Sequence, residues 1–241
     1  MGKIKEMEMC HMSKLISKIQ KVKISELDEI AYHNQRTNDS IFNLEIDPSK
    51  TKHNYDLRQG RTQNYRVDIL NYINHTKRFD RKIRHDTILL CEWNISSEAG
   101  FFRDKPDKGI RAFFQQILIF YSKNMDEQGI RYAQVHLDEA IPHIHMGVIP
   151  FTTDKKLNAK KVFSKTIVQN IQASLTQHLY DAGLEVEVIP TVTTSTMKST
   201  HSDTDTAFQN QPTHSIATIP QARTLKPSAK SPSVLREAKH Q

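Results

Sequence analysis

The stretch Tyr132–Phe151 reads YAQVHLDEAIPHIHMGVIPF and contains two β-like segments on either side of a short connection. The segments are Tyr132–Leu137 and His143–Phe151, and the sequence AIP links them near Pro142. Two strands joined by so short a connection pair in the antiparallel orientation. The stretch therefore predicts a hairpin, and it favours a sheet that is largely antiparallel.

Segments elsewhere in the chain predict the rest of the fold. Alternation, or an apolar run of strand length, predicts strands at Leu15–Val22, Thr87–Ile95 and Leu184–Ile189. The helical spacing of apolar residues predicts helices at Val67–Ile73, Ile110–Tyr121 and Thr166–Ala182, the last with Gly183 as a C-terminal cap. Together these elements predict an α+β fold with a central, largely antiparallel sheet flanked by helices.

The composition divides the chain into three parts. Residues 191–241 are dense in Ser, Thr and Pro and show no period of a helix or a strand. Such a segment buries too little apolar surface to offset the entropy of ordering, so we expect it to be disordered. The predicted folded domain is residues 12–190, and residues 1–11 form an N-terminal extension.

Charge and cysteine content limit the classes of protein. The 241 residues include 34 Lys and Arg against 27 Asp and Glu, a net charge of +7 that favours an anionic partner only weakly. The sequence has no apolar run of transmembrane length, and its N-terminal residues lack the apolar core and cleavage site of a secretory signal, so we do not expect one. Its two cysteines, Cys10 and Cys91, cannot form a disulfide framework, so we expect a reducing, cytoplasmic location.

Three histidines are concentrated in the predicted hairpin. His143 and His145 are two residues apart, which places them on one face of a strand, while the apolar residues beside them face the opposite side. Pairing of the two strands would bring His136 alongside. Three neutral imidazoles form a facial site with open positions that suits Zn, Mn, Fe or Ni. The alternative is three unrelated histidines, which the adjacent Asp138 and Glu139 make harder to accept.

The pattern over 136–145, HLDEAIPHIH followed by MG, resembles the metal motif of the Mob/Pre plasmid mobilisation relaxases. These form the MobV class of the histidine-hydrophobe-histidine nicking endonucleases. Ala31–Arg36 (AYHNQR) resembles the first motif of this family, His-Asn-x-Arg, and Asp47–Leu57 (DPSKTKHNYDL) resembles its second, Asn-Tyr-acidic-Leu. The resemblance extends over Met12–Ile189 and implies a fold of the relaxase type.

The resemblance implies a catalytic role for several residues. His33 matches the nucleophile, which attacks a phosphodiester of single-stranded DNA, stays linked to the 5′ phosphate and releases a 3′ hydroxyl until reversal rejoins the strand. His136, His143 and His145 match the ligands of a divalent metal, expected to be Mn or Mg. Glu139 and Glu92 are candidates for accepting a proton or orienting a ligand, although Glu92 could also simply end its strand at the surface.

Expected DNA contacts come from the motifs and from one basic run. Arg36 lies three residues after His33, on the same face of a helical turn, and offers a guanidinium fork for a phosphate. Asn34, Asn54 and Tyr55 are further candidates, although Tyr55 could instead be the nucleophile or a core residue. Bases could also stack on Tyr32, Tyr55 or Tyr65. The basic run would release counterions from DNA and comprises Lys77, Arg78, Arg81, Lys82 and Arg84.

The resemblance implies site- and strand-specific nicking and rejoining at a plasmid origin of transfer, in plasmid mobilisation or recombination. The expected partner is plasmid DNA, as a single-stranded nick site with adjacent duplex, and no small-molecule substrate is expected. Members of the family continue into a coiled-coil region linked to dimerisation and membrane association. Residues 191–241 offer no heptads, so membrane association is not expected and the oligomeric state stays open.

Two other functions are compatible with the same residues. A metallohydrolase would use the histidines of the hairpin to activate a water molecule, and His33 would then have no catalytic role. A truncated, non-catalytic protein would bind origin DNA without cleaving it.

Overall fold

A computed structural model describes residues 13–37, 45–58, 63–79, 81–184 and 186–188. The predicted N-terminal extension at 1–11 and the predicted disordered segment at 191–241 lie outside these residues. The strands are β1 (Ser13–Lys23), β2 (Tyr55–Asp56), β3 (Ile88–Ser97), β4 (Ile130–His136), β5 (His143–Val148) and β6 (Val186–Val188). The helices are α1 (Leu27–Gln35), α2 (Tyr65–Thr76), α3 (Ala99–Phe102), α4 (Asp107–Asn124), α5 (Ala159–Val162) and α6 (Lys165–Asp181).

The strands form one six-stranded sheet with the order β2-β4-β5-β3-β1-β6. Neighbouring strands are antiparallel except β1 and β6, which are parallel. β4 and β5 are the two arms of the predicted hairpin, and His136 pairs directly with His143. The prediction of an α+β fold on a largely antiparallel sheet is therefore confirmed.

Helices α4 and α6 cover one face of the sheet. Alternate side chains of the central strands point to this face, among them Trp93 of β3 and Ile144 and Met146 of β5. They pack on the apolar stripes of the two helices, whose buried members are Phe113, Phe114, Ile117, Phe120, Tyr121, Ile171, Leu175 and Leu179. Each such side chain contributes about 1.5–3 kcal/mol on burial. This cluster has more buried members than the cluster on the opposite face, so it is the larger part of the core.

Helices α1 and α2 pack on part of the opposite face. Leu27 and Ile30 of α1 join Ile69 and Ile73 of α2 in a second apolar cluster that includes Tyr132 of β4. The exposed side chains of Lys14, Ile16, Lys18 and Gln20 on β1 show that these helices leave the far part of the face open. The histidines of the hairpin project from this second face, beside α1.

The predicted elements coincide with β1, β3, β4, β5, β6, α2, α4 and α6, with bounds that differ by a few residues. Gly183 follows the end of α6 with a φ of 78°, and its N–H donates to the carbonyl of Tyr180, so the predicted cap is confirmed. The sequence predictions do not include α1, α3, α5 or the two-residue strand β2. Among the described residues, no helix is both long and apolar enough to cross a membrane.

Candidate functional site

The three histidines of the hairpin lie together, as their spacing predicts. The ring centroids of His136, His143 and His145 are 4.9–5.1 Å apart. All three side chains are buried. The pairing of His136 with His143 and the period of β5 produce this cluster, because alternate residues of a strand share a face.

Backbone carbonyls fix one nitrogen of His136 and one of His143. The carbonyl of Asn34 lies 3.0 Å from His136 Nε2, and the carbonyl of Ile141 lies 3.0 Å from His143 Nδ1. A carbonyl can only accept, so each of these nitrogens carries the proton. The other nitrogens, His136 Nδ1 and His143 Nε2, face each other at 3.3 Å.

Burial favours the neutral form of both His136 and His143. It lowers the pKa of both His136 and His143, and the charge of His145 lowers them further. The two rings are then neutral near pH 7, so two lone pairs oppose each other with no proton between them. A cation between the two nitrogens relieves this repulsion, and imidazole nitrogens bind divalent metals at about 2.1 Å.

His145 completes the cluster. Both of its ring nitrogens are buried and have no hydrogen-bond partner among the described residues, so either one is available to a ligand. Its Nδ1 lies 3.6 Å from Glu92 Oε1. Glu92 is buried in the middle of β3, so the alternative that it ends the strand at the surface is wrong. Burial raises the pKa of its carboxyl, but His145, Tyr132 and Asn34 outweigh that effect and lower it.

His33 lies on α1, directly against the cluster. Its ring centroid is 5.4 Å from that of His136 and 5.1 Å from that of His145. Burial lowers the pKa of His33 to about 4, and the neighbouring His145 and Arg36 contribute, so the imidazole is neutral near pH 7. A neutral imidazole has the free lone pair that a nucleophile or a metal ligand needs.

Two sets of side chains place one potential ligand atom each within 4.8 Å of one another. One set is His33, His136 and His145, and the other is His136, Glu139 and His143. His136 belongs to both sets. Neither set is the full predicted triad of His136, His143 and His145, but both show that side chains around His136 could hold a metal ion.

The expectation that Arg36 shares a helical face with His33 is wrong. Helix α1 ends at Gln35, and Arg36 adopts a left-handed conformation with a φ of 55°. Its guanidinium turns to the loop between β4 and β5, where Nε and Nη2 donate to the carboxylate of Asp138 at 3.0 and 2.9 Å. Nη2 also donates to Glu139 at 2.6 Å, and Nη1 donates to the carbonyl of His33 at 3.0 Å.

These contacts change the expected role of Arg36. All three guanidinium nitrogens already have acceptors in the protein, so the fork does not stand free to hold a phosphate. Instead it ties the end of α1 to the turn of the hairpin. Glu139 Oε1 thereby lies 3.9 Å from His143 Nε2 and 4.0 Å from His136 Nδ1, at the edge of the cluster.

Two expected DNA contacts also make structural hydrogen bonds. Asn34 is buried, and its Nδ2 donates to Glu92 Oε1 at 3.2 Å. Asn54 Oδ1 accepts from the backbone N–H of Leu137 at 2.7 Å, which fixes the end of β4. Through these hydrogen bonds, the two asparagines hold α1 and the hairpin in place.

The tyrosines are placed differently from one another. Tyr55 lies in β2 with Arg111 stacked 4.2 Å above its ring, and its buried hydroxyl has no partner among the described residues. Tyr65 is buried and stacks on Tyr132. Tyr32, next to His33, is 47% exposed and is the member of the expected stacking set that solvent reaches most.

The basic run lies far from the histidine cluster. It leads into the start of β3 at Ile88, whereas Ser96 near the other end of that strand pairs with His143. The eight residue-to-residue steps from Ile88 to Ser96 span roughly 26 Å of strand. Arg78, Arg81 and Lys82 are exposed, Lys77 caps α2, and Arg84 pairs with Asp86. The structure therefore does not bring the run to the cluster.

Asp138 and Tyr132 were not among the candidate catalytic or binding residues, yet both support the cluster. The side chain of Asp138 is fully buried against Arg36, and Tyr132 donates to Glu92 at 2.8 Å. The two-residue period of β4 is the signal for Tyr132, because residues 132, 134 and 136 share a face.

The chain is similar to several known proteins. The profile of the Mob_Pre family, described as plasmid recombination enzyme, matches residues 11–188. A plasmid recombination enzyme of Lactiplantibacillus plantarum is 40% identical over 176 residues, which are 73% of this chain and 49% of that protein. One of Streptococcus agalactiae is 37% identical over 177 residues, 73% of this chain and 36% of that protein. The chain thus spans half or less of the length of these relatives.

A solved structure has the same fold. It is the MobM relaxase domain (MOBV; Mob_Pre), bound to plasmid pMV158 oriT DNA in an Mn-bound crystal structure. The TM-score is 0.72 at 34% sequence identity, over 78% of this chain and 95% of that one. The family profile covers well over half of the chain, and the residues it matches include the hairpin that holds the histidines. The chain therefore belongs to the Mob_Pre family of plasmid recombination enzymes.

Proposed function

We propose that the chain nicks and rejoins one strand of plasmid DNA at an origin of transfer, through a covalent link between His33 and the 5′ phosphate. One observation carries the proposal. Two unprotonated nitrogens, on His136 and His143, face each other at 3.3 Å, and the neutral ring of His33 packs against the same cluster. The proposed cation site and the proposed nucleophile are therefore neighbours, an arrangement that suits metal-assisted phosphoryl transfer.

His136, His143 and His145 are the proposed metal ligands, with Mn or Mg as the expected ion. Each would bind through the nitrogen that the protein leaves free, and the partners of the other nitrogens orient the rings. Such an ion, when bound, supplies positive charge to phosphate oxygens. The Mn-bound MobM structure supports this choice of ion.

His33 is the proposed nucleophile. One imidazole nitrogen forms a bond to phosphorus while the bond from phosphorus to the 3′ oxygen breaks, and that oxygen leaves as a hydroxyl after taking a proton. The attacking ring becomes cationic and gives up the proton of its other nitrogen. Glu139 and Glu92 are the candidate acceptors, since the negative charge of each carboxylate raises the pKa of His33 and so favours its cationic form. The reverse reaction rejoins the strand.

DNA is the proposed partner because MobM is bound to oriT DNA and shares this fold. The exposed side chains of Arg78, Arg81 and Lys82 are proposed to contact duplex DNA away from the nick, given their distance from the cluster. Lys77 and Arg84 are weaker candidates within the same run because each already has a neighbour. A cytoplasmic location stays a prediction.

A nicking assay tests the proposal. Supercoiled plasmids carrying origins of transfer, the pMV158 oriT among them, are incubated with the protein and Mn²⁺, and open circles are resolved on a gel. We expect nicking with Mn²⁺, none with EDTA and none by His33→Ala. Tyr55→Phe is the matched control and should nick like the wild type. Nicking by His33→Ala at the wild-type rate would contradict the proposed nucleophile.

One observation favours the metallohydrolase as a second candidate. His33 also belongs to a set of three histidines that can hold an ion, together with His136 and His145. If His33 is a ligand, His33→Ala weakens Mn²⁺ binding as strongly as His136→Ala does. If His33 is the nucleophile, His33→Ala binds Mn²⁺ like the wild type and fails to cleave. A titration of Mn²⁺ against the two variants separates these functions.

A further inference from the structure

Three residues form one row across the sheet, two positions away from His145. In the register of the strands, Gly147 of β5 pairs with Tyr132 of β4 on one side and with Glu92 of β3 on the other. The ring of Tyr132 must therefore reach across β5 to approach Glu92. The row lies on the same face as the histidines, since alternate residues share a face.

Gly147 makes this reach possible. A Cβ atom added at Gly147 would lie 2.3 Å from Cε1 of Tyr132, closer than any real contact. The tyrosine ring thus lies flat on the backbone of Gly147. Tyr65 of α2 stacks on its other side, with ring centroids 4.3 Å apart and planes inclined by 6°. The ring is clamped between a helix and a strand, which fixes the position of its hydroxyl.

The hydroxyl ends at a junction of hydrogen bonds. Tyr132 donates to Glu92 Oε1 at 2.8 Å, and Asn34 Nδ2 donates to the same oxygen at 3.2 Å. His145 Nδ1 faces that oxygen at 3.6 Å. Asn34 also accepts from His136 through its carbonyl and directly follows His33. Glu92 thus connects the histidine cluster with the helix that carries His33.

We propose that Tyr132 is a positioning residue for metal binding, whose hydroxyl, delivered across Gly147, holds the Glu92 carboxylate against His145 and Asn34. The inference rests on the proposed metal site. A buried carboxylate needs its hydrogen bonds to stay in one orientation. Without the donor from Tyr132, Glu92 is free to turn away from His145 Nδ1. His145 Nδ1, which makes no hydrogen bond of its own, then loses the carboxylate that lies 3.6 Å from it, and the ring is less restrained beside the cluster.

Burial raises the pKa of Tyr132 well above its ordinary value, and the charge of Glu92 contributes. The hydroxyl therefore keeps its proton and acts as the donor. The stack on Tyr65 needs only the ring, whereas the contact with Glu92 needs only the hydroxyl. The two roles of this side chain are separable, because Tyr132→Phe removes one and keeps the other.

The test is a titration of Mn²⁺ against the whole chain, with the free ion followed by electron paramagnetic resonance. We expect Tyr132→Phe to raise the dissociation constant about tenfold, the usual effect of losing a group that supports a metal ligand. The control is Tyr121→Phe, which removes a hydroxyl from an equally buried tyrosine on the opposite face. An unchanged affinity in folded Tyr132→Phe would overturn the inference.

Glu92→Gln provides a second arm, which also serves if Tyr132→Phe does not fold. Since Tyr132 acts through Glu92, Glu92→Gln should weaken Mn²⁺ binding, and Tyr132→Phe should add little in the double variant. Independent, multiplicative effects would contradict this coupling, as would unchanged affinity in Glu92→Gln. The wild type separates the two proposals, because a wild type that binds no Mn²⁺ refutes the metal site itself, whatever Tyr132→Phe does.

Discussion

At the scale of single residues, the site depends on groups that restrain other groups. Arg36 donates to two carboxylates of the hairpin turn and to the carbonyl of His33. The side chain of Arg36 is 8% exposed and that of Asp138 is fully buried. Removing one member of such a pair leaves a buried charge without a partner, which costs far more than breaking a surface pair.

We expect Arg36→Met to lower the free energy of unfolding by about 3 kcal/mol, measured by urea denaturation in EDTA, because Asp138 stays buried and unpaired. Arg84→Met is the matched control, since Arg84 and Asp86 form an exposed pair and its loss should change little. Equal effects of the two substitutions would show that Arg36 does not anchor α1 to the hairpin.

The residue scale also shows what the sequence could and could not predict. The spacing of His143 and His145 places them on one face because a strand has a period of two. The tautomers are not predictable, since they depend on the carbonyls of Asn34 and Ile141. The motif likewise does not predict that Asn34 hydrogen-bonds to both Glu92 and His136. A motif marks a residue without showing which of its atoms is used.

At the scale of elements, long periodic segments are predictable and short ones are not. Helices α4 and α6 have continuous apolar stripes that fix their faces. Helix α3 has four residues and β2 has two, too few to show a period. Helix α1 brings His33 to the cluster, yet its position depends on Arg36 and on contacts with α2. Such tertiary contacts leave no local pattern.

The end of α6 gives a prediction for the backbone alone. Gly183 has a φ of 78°, and a Cβ atom there would meet nothing within 4 Å. We expect Gly183→Ala to destabilise the fold by about 1 kcal/mol in thermal or urea unfolding, through conformational strain rather than collision.

Gly100→Ala is the control for Gly183→Ala. Gly100 lies in α3 and also has open space around it, but its φ is not positive. Alanine is the better helix former, so this variant should be neutral or slightly stabilised. If both variants lost the same stability, the left-handed cap would not be the cause.

At the scale of the whole molecule, the two ends of the sheet differ in character. The histidine cluster lies near the turn between β4 and β5. The opposite end carries ion pairs that join separate elements, including Arg131 with Asp68 and Lys155 with Asp126. Tyr72 also donates to Asp126, at 3.1 Å. These pairs stabilise the fold without contacting the site, so their titration is separable from metal binding.

Asp126 predicts how stability changes at low pH. Burial raises the pKa of its carboxyl, but the contacts with Lys155 and Tyr72 outweigh burial and leave the pKa below its ordinary value. A depressed pKa stabilises the fold above the unfolded value of about 3.9, and this contribution disappears as the pH falls through the folded pKa. Urea unfolding from pH 3 to 7 should therefore show wild type more stable than Asp126→Asn near neutrality, with the gap closing in acid. A constant gap would contradict this account.

The proposed mechanism depends on a covalent bond between His33 and DNA. Mass spectrometry can locate this bond after the protein is incubated with Mn²⁺ and nick-site DNA and then digested with trypsin and nuclease. Cleavage after Lys23 and Arg36 gives the peptide Ile24–Arg36, which contains both Tyr32 and His33, so fragment ions must locate the modification. We predict a nucleotide 5′ phosphate on His33 and no adduct in His33→Ala. An adduct on Tyr32 or Tyr55, or cleavage with no adduct at all, would contradict the account.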